Sequence, residues 1–259
     1  MLLALDIGNT ETTVGLFAGD RLEGHWRLHT TPRRTPDEWA SALTAYLTQA
    51  GHSTQEVRAA IVASVAPQVT QSLCEGITVA TTRTPVLVDG RSKLPITLDV
   101  DEPLTVGADR IVNTLAASQL FKRDTIVVDF GTATTFDCIT ADGRFIGGVI
   151  MPGIQTASDD LVRKTAKLPA TELTPPARVI GRRTEDCIRA GVLWGTADAV
   201  DGLVRRIKAE WPGKQTPQTV ATGGLAGLVA PLSKEIESVH PDLTLEGLRL
   251  AAAALGLAW

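Results

Sequence analysis

The sequence offers little from which to build a disulfide scaffold, a metal cluster or a membrane anchor. Its three cysteines, Cys74, Cys138 and Cys187, are odd in number, far apart and outside any CxxC pair. That usage fits reduced thiols in a cytoplasm, where they serve as small apolar side chains. The four histidines, His25, His29, His52 and His240, lack metal-ligand spacing and are expected at the surface. No apolar run has the length needed to cross a bilayer. The first residues, Met1 to Asp6, lack the basic start and cleavage site of a signal peptide. No GxxxxGK[ST] segment is present, which excludes a P-loop enzyme. The net charge of −4 provides no basic stripe, so neither nucleic acid nor an anionic membrane is expected as a partner. What is present, 44% hydrophobic and 21% charged residues in a chain of 259, describes a globular protein with a sizeable core. That length accommodates one large domain or two of ordinary size.

The chain opens with an apolar strand, Leu2 to Leu5, that runs into Asp6-Ile7-Gly8-Asn9-Thr10. A second strand is expected over residues 12–17, a turn at Gly19-Asp20 and a third strand over residues 22–28. Thr35 then has the position of an N-cap, with Pro36 at the first helical residue and Asp37 and Glu38 at the positive end of the dipole. Trp39, Leu43, Tyr46 and Leu47 recur at helical spacing, and Gly51 ends the helix. Residues 59–65 and 85–88 read as buried strands with a helix between them.

A shift of 123 positions then repeats the opening. It pairs Asp6 with Asp129, Gly8 with Gly131, Thr12 with Thr135, Ala18 with Ala141, Arg21 with Arg144 and Gly24 with Gly147. The identities fall on turn residues, so the chain reads as an internal duplication. The expected domains are 1–117 and 118–259, closely packed because no Pro/Gly-rich linker separates them. In the second half, residues 147–153 read as a Gly-rich turn. Thr184 reads as the cap of a long helix with its apolar stripe at Ile188, Val192, Val200, Val204 and Ile207. Residues 218–221 read as a strand entering Thr222-Gly223-Gly224, and residues 245–255 as a closing helix.

Each glycine turn has a plain reading and a chemical one. Alone, Asp6 to Thr10 is an ordinary Asx-type hairpin. Alternatively, Gly8 lets backbone approach a ligand, amides and hydroxyls near Asn9 and Thr10 donate to phosphate oxygens, and a strand-end carboxylate holds Mg2+ through water. The second copy, Asp129-Phe130-Gly131-Thr132-Ala133-Thr134-Thr135, favours the chemical reading. Two duplicated half-sites suit phosphoryl transfer, which needs positioning and charge neutralisation above all. Thr222-Gly223-Gly224 is either an ordinary strand end or a flat platform for adenine or ribose. At Gly107-Ala108-Asp109-Arg110, Asp109 suits a helix start on dipole grounds. It is equally placed to accept a proton from a substrate hydroxyl while Arg110 grips a carboxylate. Thr184 is a cap or a substrate contact, the cap being the simpler reading. Arg33-Arg34 reads as a solvated face.

Taken in order, DIGNT, GADR, VDFGTATT, GGVIMPG, GRRT and ATGG closely resemble the type III pantothenate kinases, over essentially the whole chain. The resemblance implies an α/β fold of two duplicated RNase H-like (actin-like ATPase) domains with mixed β-sheets and an interdomain cleft. It implies a cytoplasmic homodimer that phosphorylates pantothenate with ATP and Mg2+, the first step of coenzyme A biosynthesis. On matching positions, Asp6, Ile7, Gly8, Asn9, Thr10, Glu11, Thr12 and Thr13 are similar to the first ATP-phosphate segment, and Thr132 to an ATP contact. Gly107, Ala108, Asp109 and Arg110 resemble the pantothenate segment, with Asp109 the proton acceptor, and Thr184 a substrate contact near the dimer interface. Asp129 resembles the ligand of a monovalent cation, K+ or NH4+. Many members carry a substrate-touching tyrosine a few residues before GADR, where this chain has Val100. A kinase for a different acceptor and a non-catalytic accessory factor for transcription are the competing readings. The GADR segment argues against the first, and the missing basic stripe and appended helix-turn-helix argue against the second.

Overall fold

Strand β1 (Leu2–Ile7) is apolar at nearly every position because both faces of its sheet are covered. A computed structural model describes the whole chain, Met1–Trp259. β1 pairs antiparallel with β2 (Glu11–Ala18), which pairs antiparallel with β3 (Arg21–His29). On its other edge β1 pairs in parallel with β4 (Ala59–Ser64), and β4 with β5 (Val86–Val88). The sheet order is therefore β3-β2-β1-β4-β5. The odd residues of β1, Leu3, Leu5 and Ile7, pack with Trp39, Leu43 and Leu47 of α1 (Pro36–Gln49) and Val69, Leu73 and Ile77 of α2 (Pro67–Thr81). The even residues Leu2 and Ala4 pack with Ile111, Val112 and Leu115 of α3 (Ala108–Phe121) and Leu245, Leu248, Ala251 and Ala252 of α8 (Leu243–Ala254). Strand alternation thus sends successive side chains into two separate cores.

The punctuation around α1 matches its residues. Thr35 accepts from the Glu38 backbone, the Glu38 carboxylate accepts from the Thr35 N–H at 2.7 Å, and Pro36 opens the helix. Gly51, at φ +81°, takes the left-handed position just past the helix end. A short strand β6 (Thr97–Leu98) and a 3-10 turn over Pro103–Thr105 lead into α3.

The duplication is visible strand by strand. Adding 123 to the bounds of β1 and β3 gives those of β7 (Thr125–Phe130) and β9 (Arg144–Pro152). β1 and β7 also share one burial pattern, with Asp6 and Asp129 the partly exposed members. β8 (Ala133–Ile139) runs between β7 and β9, both pairs antiparallel. On its other edge β7 pairs in parallel with β10 (Gln218–Thr222), and β10 with β11 (Ser238–Val239). The order of the first sheet therefore recurs as β9-β8-β7-β10-β11.

Three sequence readings change. Residues 147–153 are mostly strand, with Gly147 at φ +114° inside β9 and Gly148 paired with Asp137. Glycines here bend a strand and do not end it. After α4 (Ile154–Lys164), the expected long helix is three pieces. These are α5 (Thr184–Arg189), a π-turn over Ala190–Trp194 and α6 (Gly195–Glu210). Its apolar stripe stays intact, since Ile188, Val192, Val200 and Val204 share a core with Ile126, Val128 and Phe130 of β7 and with Val229 of α7 (Ala226–Val229). Finally, the compact units are Met1–Leu120 with Leu243–Trp259, and Phe121–Asp242. The closing helix α8 belongs to the first unit, whereas a single cut at 117/118 assigns it to the second. Its Gly247 passes so close to the Val112 carbonyl of α3 that a Cβ there would overlap it.

Candidate active site

In the first unit the expected phosphate segment is the turn between β1 and β2. The Gly8 N–H donates to the Glu11 carbonyl at 2.9 Å, and a Cβ on Gly8 would lie 2.8 Å from that same oxygen. Only glycine permits so tight a turn. Asp6 is partly exposed at the end of β1, Ile7 is buried, Gly8 is half-buried, and Asn9, Thr10 and Glu11 are exposed. Strand alternation separates the next two residues: Thr13 is half-buried opposite Asp6 in the ladder, while Thr12 is fully buried. The Thr12 hydroxyl lies 2.9 Å from that of Thr30, so its side chain serves the inside of the turn.

Asp109 is brought toward this turn by a short chain of contacts. The Val65 N–H donates to the Ile7 carbonyl at 3.0 Å, directly after β1 and β4 pair at Ile7 and Ser64. A Cβ on Gly107 would lie 3.3 Å from Cγ1 of Val65 and 2.5 Å from Oδ1 of Asp109. Gly107 is therefore bare because the Asp109 carboxylate occupies the space. The first turn of α3 and the carboxyl ends of β1 and β4 thus meet at one edge of the sheet, the usual position for a ligand in such a fold. Asp109 Oδ1 accepts the Arg110 N–H at 2.8 Å. Burial pushes its carboxyl above the ordinary range, against the opposing pull of that hydrogen bond and of the Arg110 charge. A raised carboxylate beside an arginine suits a proton acceptor for a hydroxyl. A cavity of about 260 Å³ in this unit, lined by Asp89, Ile96, Leu98, Pro103 and Ile111 among others, includes none of the residues named from the sequence.

In the second unit the Gly131 N–H donates to the Ala133 carbonyl at 3.0 Å, and Thr132 is exposed at the turn. Two further glycines enclose this turn. Gly223, at φ +90°, directly follows Thr222, the ladder partner of Asp129. A Cβ there would overlap Asp129 Oδ1 and lie 2.7 Å from the Phe130 amide nitrogen. Gly153 opens α4, and a Cβ on it would lie 2.5 Å from the Gly131 carbonyl oxygen. Thr222-Gly223-Gly224 and Pro152-Gly153 are thus parts of the Asp129 turn. No group of three or more His, Cys, Asp or Glu side chains is arranged to hold a metal ion.

Thr184 is the exposed first residue of α5, and Arg183 takes the cap position without a side-chain cap bond. Gly181 lies against that helix start, where a Cβ would be 2.6 Å from the Cys187 amide nitrogen. Arg34, read as solvated, instead stacks on the Trp39 ring at 4.4 Å. Sequence reasoning missed Thr30, which follows β3 with no motif around it. Only its three hydrogen bonds to the first turn expose it.

Comparison with known proteins identifies the family. The sequence profile of the family described as Type III pantothenate kinase matches residues 2–206. The type III pantothenate kinase of Moorella thermoacetica is 44% identical over 250 residues, covering 96% of this chain and 98% of that protein. That of Thermomicrobium roseum is 45% identical over 251 residues, covering 97% and 96%. Among solved structures, a conserved Campylobacter jejuni protein assigned to the Baf family of transcriptional activators superposes with a TM-score of 0.59 at 16% identity, over 97% of both chains. That likeness bears on the fold alone and says nothing for transcription. With the family profile matching most of this chain and two relatives matched nearly end to end, the chain belongs to the type III pantothenate kinase family.

Proposed function

We propose that the protein transfers the γ-phosphoryl group of ATP to the primary hydroxyl of pantothenate, opening coenzyme A biosynthesis, with Asp109 as the general base. The observation that carries this reading is the meeting, within one unit, of the Gly8 turn and a partly buried Asp109 whose carboxyl is raised by its surroundings. Asp109 takes the hydroxyl proton as the oxygen attacks phosphorus in line, and Arg110 holds the substrate carboxylate. The exposed side chains of Asn9, Thr10 and Thr132 and the backbone N–H groups of the two turns donate to phosphate oxygens, while Gly8 and Gly131 keep the turns low enough for close approach.

Both carboxylates at the strand ends fit a cation. Asp6 suits Mg2+ held through water, which neutralises charge on the phosphates. Asp129, with Gly131 and Gly223 beside its carboxylate, leaves room for a monovalent ion, K+ or NH4+, completed by carbonyl and water oxygens. Thr184, exposed at the start of α5, is assigned a substrate contact beside a homodimer interface. No helix is long and apolar enough to cross a membrane, and the cytoplasm is the proposed compartment.

ADP release by the purified protein with ATP, Mg2+ and pantothenate, with and without potassium, tests the reading. Turnover that requires pantothenate and rises with potassium is expected. Folded protein that releases no ADP in either salt would reopen the choice of acceptor.

A further inference from the structure

The two turns are held by one device, used twice. Thr30, the residue after β3, reaches back to the first turn with its backbone N–H and its hydroxyl. Its N–H donates to the Thr10 carbonyl at 2.9 Å and its hydroxyl to the Gly8 carbonyl at 2.8 Å. The single hydroxyl proton of Thr30 being so used, the buried Thr12 hydroxyl donates to the Thr30 oxygen at 2.9 Å. Gly153 stands 123 residues later, directly after β9. Its N–H donates to the Thr132 carbonyl at 3.2 Å. A side chain at 153 would strike the Gly131 and Thr132 carbonyls, so the hydroxyl comes from three residues further on. Thr156, in the first turn of α4, donates to that same Thr132 oxygen at 2.7 Å.

The consequence follows from peptide geometry. In a planar trans peptide the carbonyl and the next N–H point in opposite directions. Fastening the Gly8 carbonyl to Thr30 therefore turns the Asn9 N–H away from Thr30, toward the exposed side of the turn. Fastening the Thr10 and Thr132 carbonyls likewise removes their lone pairs from the side on which an anion would bind. An unfastened carbonyl there would repel phosphate, and its peptide would have to reorient before binding.

We propose that Thr30 and Thr156 are positioning residues for nucleotide binding, each locking a carbonyl of its turn so that the turn presents donors alone to the ATP phosphates. Neither touches the phosphates. The proposal rests on the reading of both turns as ATP-phosphate segments.

Calorimetric titration of the full chain with ATP, alongside steady-state kinetics, tests it with Thr30→Val, Thr30→Ser, Thr156→Ala and Thr156→Ser. Thr30→Val leaves a carbonyl and a buried hydroxyl short of a partner and should weaken ATP binding about tenfold, and Thr156→Ala a few-fold. Both serine variants should bind as wild type does. KM for ATP should rise while KM for pantothenate and the pH profile stay in place. Wild-type ATP affinity in both Thr30→Val and Thr156→Ala overturns the latch. So does equal weakening of ATP and pantothenate with a lowered Tm, which marks a purely structural role. Should Thr30→Val not fold, the exposed Thr156 decides the matter. A wild-type chain that binds no ATP removes the phosphate reading itself, an outcome distinct from unaffected variants.

Discussion

Asp109→Asn separates chemistry from stability in one substitution. Asparagine keeps the shape of the side chain and an oxygen that accepts the Arg110 N–H at 2.8 Å, so α3 should begin as before. What is lost is the proton acceptor. Removing a general base lowers turnover by about 10²–10⁴-fold, or about 3–5 kcal/mol on the barrier at ~1.4 kcal/mol per tenfold. Stability should move the other way. Burial raises the carboxyl in the folded state above its unfolded value. Its contribution favours the fold where the proton is held, below the unfolded pKa, and is lost as pH rises through the folded pKa. Near neutral pH the ionised carboxylate therefore opposes folding, and asparagine relieves that cost. Coupled ADP release and thermal unfolding near neutral pH should show turnover down and Tm up. The acid limb of kcat/KM in the wild type should lie above the pH range of an ordinary carboxylate. Near-normal turnover would remove Asp109 from the base role, and a lowered Tm would refute the account of its burial.

Three further substitutions probe the surrounding frame. Gly223→Ala combines an unfavourable φ of +90° with overlap on Asp129, and should cost about 1–3 kcal/mol and abolish potassium stimulation of ADP release. Thr35→Ala removes the capping box of α1 and should cost about 1 kcal/mol in chemical denaturation with KM for ATP unchanged. Gly247→Ala forces a methyl against the Val112 carbonyl and should cost about 1–3 kcal/mol despite the better helix propensity of alanine. A stabilised Gly247→Ala protein would show that α8 is held less closely than the geometry indicates.

Legibility in the sequence followed the range of the forces involved. The start of α1 was readable because Thr35, Pro36, Glu38 and Gly51 act within one turn of themselves. Both Asp-x-Gly turns were readable because the duplication fixed residue types at shared positions, and their strands coincide on the same shift. Strand β9 was misread because its glycines look like a turn when the pairing with β8 is unseen. The π-turn over Ala190–Trp194 left no trace, since the apolar stripe passes through it unbroken. Among the candidate residues of the two units, Asp6, Gly8, Asp109 and Asp129 carry their own motifs, whereas the hydrogen bonds of Thr30 and the closeness of Gly107 to Val65 exist only after folding. Thr12 was within reach: counting alternation along β2 from exposed Glu11 turns it inward.

The return of α8 to the first unit delays the completion of that unit's core during synthesis. Leu2 and Ala4 share an apolar cluster with Leu245, Leu248, Ala251 and Ala252, partners made some 240 residues later. Until residues 243–254 are synthesised, one face of the first sheet lacks a covering helix, while Phe121–Asp242 has already been made. The ends of that middle segment are pinned by the edge-on contact of Phe121 and His240, 4.8 Å between ring centres. The segment can therefore close on itself first, like an inserted cassette, and the flanking segments join afterwards. The core shared by Leu2, Ala4 and α8 can be completed only after the whole of Phe121–Asp242 has been made.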